Sequence, residues 1–262
     1  YSSAASDVYK RQHIFSSYFV GNELYGTTEQ YQPMGIGVLV HEFGHAMGLP
    51  DFYDPTYSYQ GDSPFGYWSV MDGGAYVDYA YAPIGYNAYE RSFMGWLDIK
   101  EVPESGLVTL ANPNSAEGDM AVMFRNPKNT MEYFIFENRQ PGTWYPESFG
   151  SGVLLTRISY NPSAWMYNSV NTNQTKKRAM VVPADGALLA DDLGSEYTLF
   201  GNGVNYKTEY RYFDGGTEND RPAYGIMKQP DGSIVISFKD QNAKPEPIAD
   251  GGTYEKITDV SQ

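Results

Sequence analysis

HEFGHAMGLPD, residues 41–51, holds two of the three histidines in the chain. Helical residues four apart share a face, so His41 and His45 can aim two imidazoles at one point. Glu42 projects to the flank of that point, where a carboxylate can take a proton from a water without being a ligand. Two imidazoles, a third protein ligand and an open fourth position form a donor set suited to zinc. Zinc brings the pKa of a bound water down to about 7. Three residues beyond His45 stands Gly48, which has no Cβ and can take the positive φ that turns a chain sharply out of a helix. The turn is expected to return Asp51 as third ligand, leaving a formal site charge of +1. Asp54 is an alternative third ligand, or a calcium or supporting group. Glu90 is a further alternative, with buried pairing to Arg91 or Arg139 as its structural reading. HExxH alone arises by chance on ordinary helices. Gly48 and Asp51 in register cut that chance about two hundredfold, and unpartnered imidazoles on an apolar helix would be costly.

Around the motif, Met34, Ile36, Val38, Leu39, Val40, Phe43, Ala46 and Met47 make a near-continuous apolar set. It predicts a buried helix over 33–47, stopped by Gly48 and Pro50. Upstream, His13 to Tyr25 predicts strand, turn and strand, with the break at Gly21-Asn22. Residues 51–85, rich in Gly, Pro, Asp and Tyr, predict irregular loop. The spacing of Tyr89, Phe93, Met94 and Leu97 predicts a second helix over 87–97. Beyond Trp96 come short alternating or apolar runs at 107–110, 120–124, 133–137, 153–158, 180–182 and 234–238, with a hairpin turn at Pro230-Asp231-Gly232. The expected class is α+β, with the HExxH helix in the first part and a β-rich portion after it.

The chain of 262 residues carries a net charge of −14, which disfavours nucleic acid and anionic membranes and suits cations such as calcium. The cluster Asp51, Asp54, Asp62 and Asp72 invites calcium, without the regular spacing of an EF-hand loop. No apolar run approaches the 18 or so residues needed to span a bilayer. With 24 tyrosines and only 19% charged residues, the composition suits an extracellular β-rich protein. Cysteine is absent, so neither disulfides nor thiol chemistry are available. Ser2 to Gln12, SSAASDVYKRQ, looks like the translation of a transposase adapter used for sequencing libraries. Residues 1–12 are therefore expected to be adapter-derived, with the natural chain beginning near His13.

HEFGHAMGLPDFYD, then GYWSVMDGG, then APIGYNAYERSFMGWL resemble the immune inhibitor A-like secreted metalloproteases, a zincin family related to the metzincins. YFIFENRQ, GSGVLLTRISYN and VVPADG extend the resemblance over most of His13 to about Lys239. It implies that His41, His45 and Asp51 bind zinc, that Glu42 is the general base, and that Met71 lies in a turn forming an apolar floor under the metal. Tyr76 is a candidate donor to the oxyanion, by analogy with tyrosines of related proteases. Glu137-Asn138-Arg139 matches a family motif and is expected to be structural. His13 aligns with a position upstream of the site and reads as a surface or capping residue. The resemblance implies a zincin-like division. Residues 13–100 would be the C-terminal part of a catalytic domain whose N-terminal part is mostly missing. Residues 101–240 would be the β-rich portion, and 241–262 a linker or the start of a further module. The implied function is a secreted or cell-surface bacterial zinc endopeptidase acting on protein or peptide substrates, impaired in this fragment. The alternative is a non-catalytic extracellular binding or adhesion module with a vestigial or structural zinc site. A structural site would recruit a fourth protein ligand.

Overall fold

A computed structural model describes residues 21, 23–26, 30–56, 63–115, 117–186, 195–218 and 221–242. The expectations for residues 1–12, for His13 and the strand at 13–20, for Asn22, for Asp62 and for most of the 241–262 tail lie outside the described residues. Among those described, helices and sheets are mixed, as the α+β class requires.

A short antiparallel pair, β1 (Leu24–Gly26) and β2 (Tyr31–Pro33), leads into α1 (Gly37–Ala46). The helix thus begins four residues later than the apolar run predicted, because residues 31–33 pair as a strand. Neither an N-cap side chain nor an acidic first turn supports α1, so tertiary packing must hold it. Its inner face is made by Gly37, His41 and Gly44. A Cβ on Gly37 would lie 1.8 Å from the Ala75 carbonyl oxygen, and one on Gly44 would lie 2.4 Å from Met71 Sδ. Only glycine permits this approach of the 70–80 segment. The expectation of a helix buried all round is therefore corrected. The space beneath α1 is too thin for large side chains, and Leu39 (53% exposed) and Phe43 (43%) face outward.

Two bonds close the end of α1, Gly48 N–H to His45 O at 2.9 Å and Leu49 N–H to Gly44 O at 3.0 Å, with Gly48 at φ +95°. This is a Schellman arrangement, which satisfies otherwise orphaned carbonyls and reverses the chain. The described residues of 51–85 are irregular, as expected, apart from 3-10 segments at Gly66–Trp68 and Gly73–Ala80. α2 spans Ala88–Phe93, shorter than the predicted 87–97. A capping box between Asn87 and Glu90 starts it, and Gly95 at φ +77° follows its end.

In the β-rich half, β3 (Lys100–Glu101), β4 (Gly106–Leu110), β5 (Ala121–Asn126), β6 (Asn129–Arg139) and β7 (Gly152–Ser159) precede α3 (Pro162–Met166) and β8 (Ala179–Val181). Then come β9 (Tyr210–Arg211), β10 (Thr217–Glu218), β11 (Ala223–Lys228) and β12 (Ile234–Phe238). The order β3-β5-β6-β7-β8 forms a five-stranded sheet, parallel only at β3–β5, and β11-β12-β4 forms an antiparallel three-stranded one. Gly232, at φ +81°, lies in the β11–β12 hairpin turn where Pro230-Asp231-Gly232 predicted it. The sequence reading missed β11, whose alternation is interrupted at Gly225 by a register shift, and the two-residue strands, which are too short to show any.

Both faces of the five-stranded sheet are buried. Phe134, Phe136, Val153 and Leu155 point toward Leu110, Ile226, Ile236 and Phe238 of the smaller sheet. Ile135, Leu154 and Ile158 belong instead to a core with Leu49, Phe52, Phe65, Trp68, Met71 and Tyr89. The period of two along β6 and β7 thus sends alternate side chains into two cores. One of those cores continues directly into the loop that follows α1. Phe52 stacks on Phe65 at 4.7 Å, within the range where aromatic pairs add about 0.5–1.5 kcal/mol beyond burial.

Candidate metal centre

His41 and His45 lie on α1, one turn apart, with ring centroids 4.7 Å apart and nearly perpendicular. His41 Nδ1 donates to the Val70 carbonyl at 2.9 Å, and His45 Nδ1 to the Leu49 carbonyl at 2.8 Å. With the proton committed to Nδ1, each neutral ring presents an unprotonated Nε2. Both Nε2 atoms face Asp51 Oδ1, at 3.0 Å and 3.2 Å. Asp51 is buried, and its Oδ1 takes no hydrogen bond of regular geometry. Three lone-pair donors therefore converge, an arrangement that a proton or a metal cation relieves. Burial pushes the Asp51 pKa up, but the contacts from His41, His45 and Asn168 outweigh it and hold the carboxyl well below the usual range. The close contact with the Asp51 carboxylate, working against burial, raises the pKa of His45. The donor set, two imidazoles and one carboxylate oxygen, fits zinc. Among the described residues it is the one group of three or more His, Asp or Glu side chains close enough to share an ion.

Asp54, Asp72 and Glu90 are engaged elsewhere. Asp54 Oδ1 accepts from the Thr56 N–H and hydroxyl, although its buried Oδ2 lacks a partner. Asp72 accepts from the Ser63 hydroxyl and from the Phe65 and Gly73 amides. Glu90 is fully buried beneath the Met71 turn rather than at the histidines. Its Oε1 accepts from the Ser69 hydroxyl at 2.5 Å and the Met71 N–H at 3.3 Å, and its Oε2 from the Asn87 N–H at 2.6 Å. Burial pushes its pKa up, against those bonds and the field of Arg139. The ion pairs expected for Glu90 belong to Glu137, which lies 3.4 Å from Arg91 and 3.5 Å from Arg139. Glu137 also accepts from the Ala88 N–H at 3.0 Å, at the start of α2. Asn138 donates to the carbonyls of Leu110, Ala111 and Gly232, and Arg139 to that of Trp68. These three residues bind strands to turns and take no part in the cluster.

Met71 is wholly buried against Gly44, and its carbonyl accepts from the Phe52 N–H at 2.8 Å. The turn carrying it thus supports His41 through Val70 and the Asp51 loop through Phe52. Glu42, half-buried, takes no hydrogen bond from the described residues. Tyr76 is exposed, and its neighbour Ala75 packs on Gly37 at the N-terminal end of α1. Two residues absent from the sequence reading stand at the cluster. The Tyr53 ring lies over His41 at 6.3 Å. Asn168 holds Asp51 at both its carboxylate and its backbone N–H, each at 2.7 Å. Tyr53 adjoins the motif and was open to notice; Asn168, 117 residues away, carried no local signal.

Residues 9–95 match the family model of the immune inhibitor A peptidase M6 catalytic domain. Immune inhibitor A of Bacillus thuringiensis subsp. alesti is 36% identical over 75 residues, covering 26% of this chain and 11% of that protein. Pre-pro-metalloprotease PrtV of Vibrio cholerae serotype O1 is 37% identical over 60 residues, covering 22% of this chain and 6% of that protein. The chain therefore matches only about a tenth of the length of these relatives, or less. No solved structure matches it. The resemblance to the immune inhibitor A-like metalloproteases holds over residues 9–95, a segment that contains His41, Glu42, His45, Asp51, Met71, Tyr76 and Glu90.

Proposed function

We propose that this chain carries the zinc centre of a secreted bacterial endopeptidase of zincin type, with His41, His45 and Asp51 as the protein ligands. The observation that carries the reading is the convergence of two imidazole Nε2 atoms on a buried carboxylate oxygen that lacks a regular donor. Its place inside the stretch similar to M6 catalytic domains supports it. Held by these three side chains, a zinc ion would supply Lewis acidity to lower the pKa of water and polarise a peptide carbonyl. Val70 and Leu49 hold the imidazoles in the tautomer that leaves Nε2 free. Glu42, next to His41 and without a competing hydrogen bond among the described residues, accepts the proton of the attacking water and returns it to the leaving nitrogen. Tyr76 enters as candidate donor to the oxyanion, on its exposed position along the segment packed against α1. Proteins or peptides are the substrates, and the location is extracellular, in keeping with the tyrosine-rich, charge-poor composition.

The test uses the gene product carrying this chain, freed of any pro-segment, beside its Glu42→Ala and His41→Ala variants. One zinc per chain is expected in the parent and in Glu42→Ala but not in His41→Ala. Casein cleavage should fall by about 10²-fold or more in Glu42→Ala, the range of general-base contributions. Undiminished cleavage by Glu42→Ala refutes the mechanism. Zinc without cleavage in the parent favours a structural site or a binding module.

A further inference from the structure

We propose that Asn168 is a positioning residue of the metal centre, clamping Asp51 so that it offers a single oxygen to the ion. The inference rests on reading His41, His45 and Asp51 as metal ligands. A carboxylate on a loop is free to rotate about χ2, a broad and roughly two-fold torsion, and to exchange its two oxygens. Here the Asn168 carboxamide removes that freedom. Nδ2 donates to Asp51 Oδ2 at 2.7 Å, while Oδ1 accepts from the Asp51 N–H at 2.7 Å. With Oδ2 and the backbone both held, Oδ1 is the oxygen left facing His41 and His45. The carboxamide offers a donor and an acceptor on one short planar group; an ionised Asp has no donor, and the single oxygen of Ser cannot span both positions.

The clamp is anchored in the β-rich half of the chain. Asn168 follows α3 at φ +51°, a left-handed conformation that asparagine tolerates better than most residues. Bonds from Asn168 N–H to Trp165 O (3.3 Å) and from Ser169 N–H to Ala164 O (2.8 Å) fix it there. Trp165 itself is buried, packed on Tyr160 at 4.9 Å and Tyr89 at 6.4 Å. Three residues on, Asn171 is wholly buried and donates to the carbonyls of Phe52 and Ala179, each at 2.7 Å. Two amides from one short segment therefore hold consecutive residues of the loop that carries Asp51. That segment lies well outside the stretch similar to the peptidase catalytic domain, which stops at residue 95. The β-rich portion is thus part of the metal centre rather than an appendage to it.

The experiment measures zinc affinity of the 262-residue chain by competition with a chromophoric chelator, together with the visible spectrum of its cobalt form. Asn168→Gly removes both bonds and keeps the positive φ free of strain. Asn168→Asp preserves size and conformation but sets an acceptor against Asp51 Oδ2. Zinc should bind about 10–100-fold more weakly to each variant, the usual cost of losing a partner behind a metal ligand. The cobalt bands should change in energy or intensity, which a general loss of stability would not cause. If Asn168→Gly does not fold, Asn168→Asp decides. Wild-type affinity and an unchanged cobalt spectrum in the folded variants overturn the inference. That result is distinguishable from failure of the underlying reading, in which the parent chain itself binds no zinc or His41→Ala leaves binding intact, and both ideas fall.

Discussion

Gly44→Ala places one methyl group at the contact between α1 and the Met71 turn. The new Cβ would lie 2.4 Å from Met71 Sδ, 3.3 Å from its Cε and 3.4 Å from the Tyr86 hydroxyl. Non-bonded heavy atoms settle at about 3.6 Å, so the thioether must retreat by about 1.2 Å. Met71 has no exposed surface, so that retreat takes place inside the core. Overpacking of this kind costs about 1–3 kcal/mol. Replacing glycine by alanine within a helix returns about 0.5–1 kcal/mol. The steric effect should win, with a net loss near 1 kcal/mol and a fall in melting temperature of about 2–4 °C. Zinc affinity should weaken as well, because the carbonyl of Val70, adjacent to Met71, accepts the hydrogen bond from His41 Nδ1 and Met71 O accepts that from the Phe52 amide. The assay is thermal unfolding with and without zinc in a double-mutant cycle with Met71→Val, which removes Sδ and Cε. In the Met71→Val background, Gly44→Ala should become neutral or stabilising. If Gly44→Ala stabilises the parent chain and leaves zinc binding unchanged, the close contact is soft and the reasoning fails.

Two further outcomes follow from the same geometry. Glu90→Gln leaves one oxygen for the Ser69 and Met71 donors and sets an NH₂ against the Asn87 N–H, so a buried donor loses its partner. The expected cost is about 1–3 kcal/mol by chemical denaturation, and an unchanged midpoint would show that the network contributes nothing. Zinc at a hundredfold excess over its Kd should stabilise the chain by about 2.7 kcal/mol relative to chelator, or about 5–10 °C in melting temperature. His45→Ala should abolish that difference; identical melts with zinc and chelator in the parent chain would count against any metal at this cluster.

Several features were legible in the chain because their causes are local. The four-residue spacing of His41 and His45 and the glycine at position 48 act within a few residues of each other, and helix and turn follow from them. The strands at 133–137, 153–158 and 234–238 were legible from apolar runs, since burial leaves that mark wherever both faces of a sheet are covered. Where the reading went astray, a distant segment had intervened. The apolar run over 33–47 suggested a helix buried all round. The Ala75 carbonyl and the Met71 side chain approach so closely that only Gly37, Gly44 and His41 fit beneath it. Glu90 was paired in prospect with arginines, but burial under the 69–71 turn gave it hydroxyl and amide donors and left the arginines to Glu137.

The sequence by itself determined which groups are able to bind a metal and that two of them share a helix face, because an α-helix has one geometry. Only the tertiary structure decided that Asp51, rather than Asp54 or Glu90, meets the two imidazoles, and that Asn168 turns its carboxylate toward them. A side chain's identity sets which bonds it can make. Which bonds it does make depends on where folding brings partners that lie, as here, 117 residues apart.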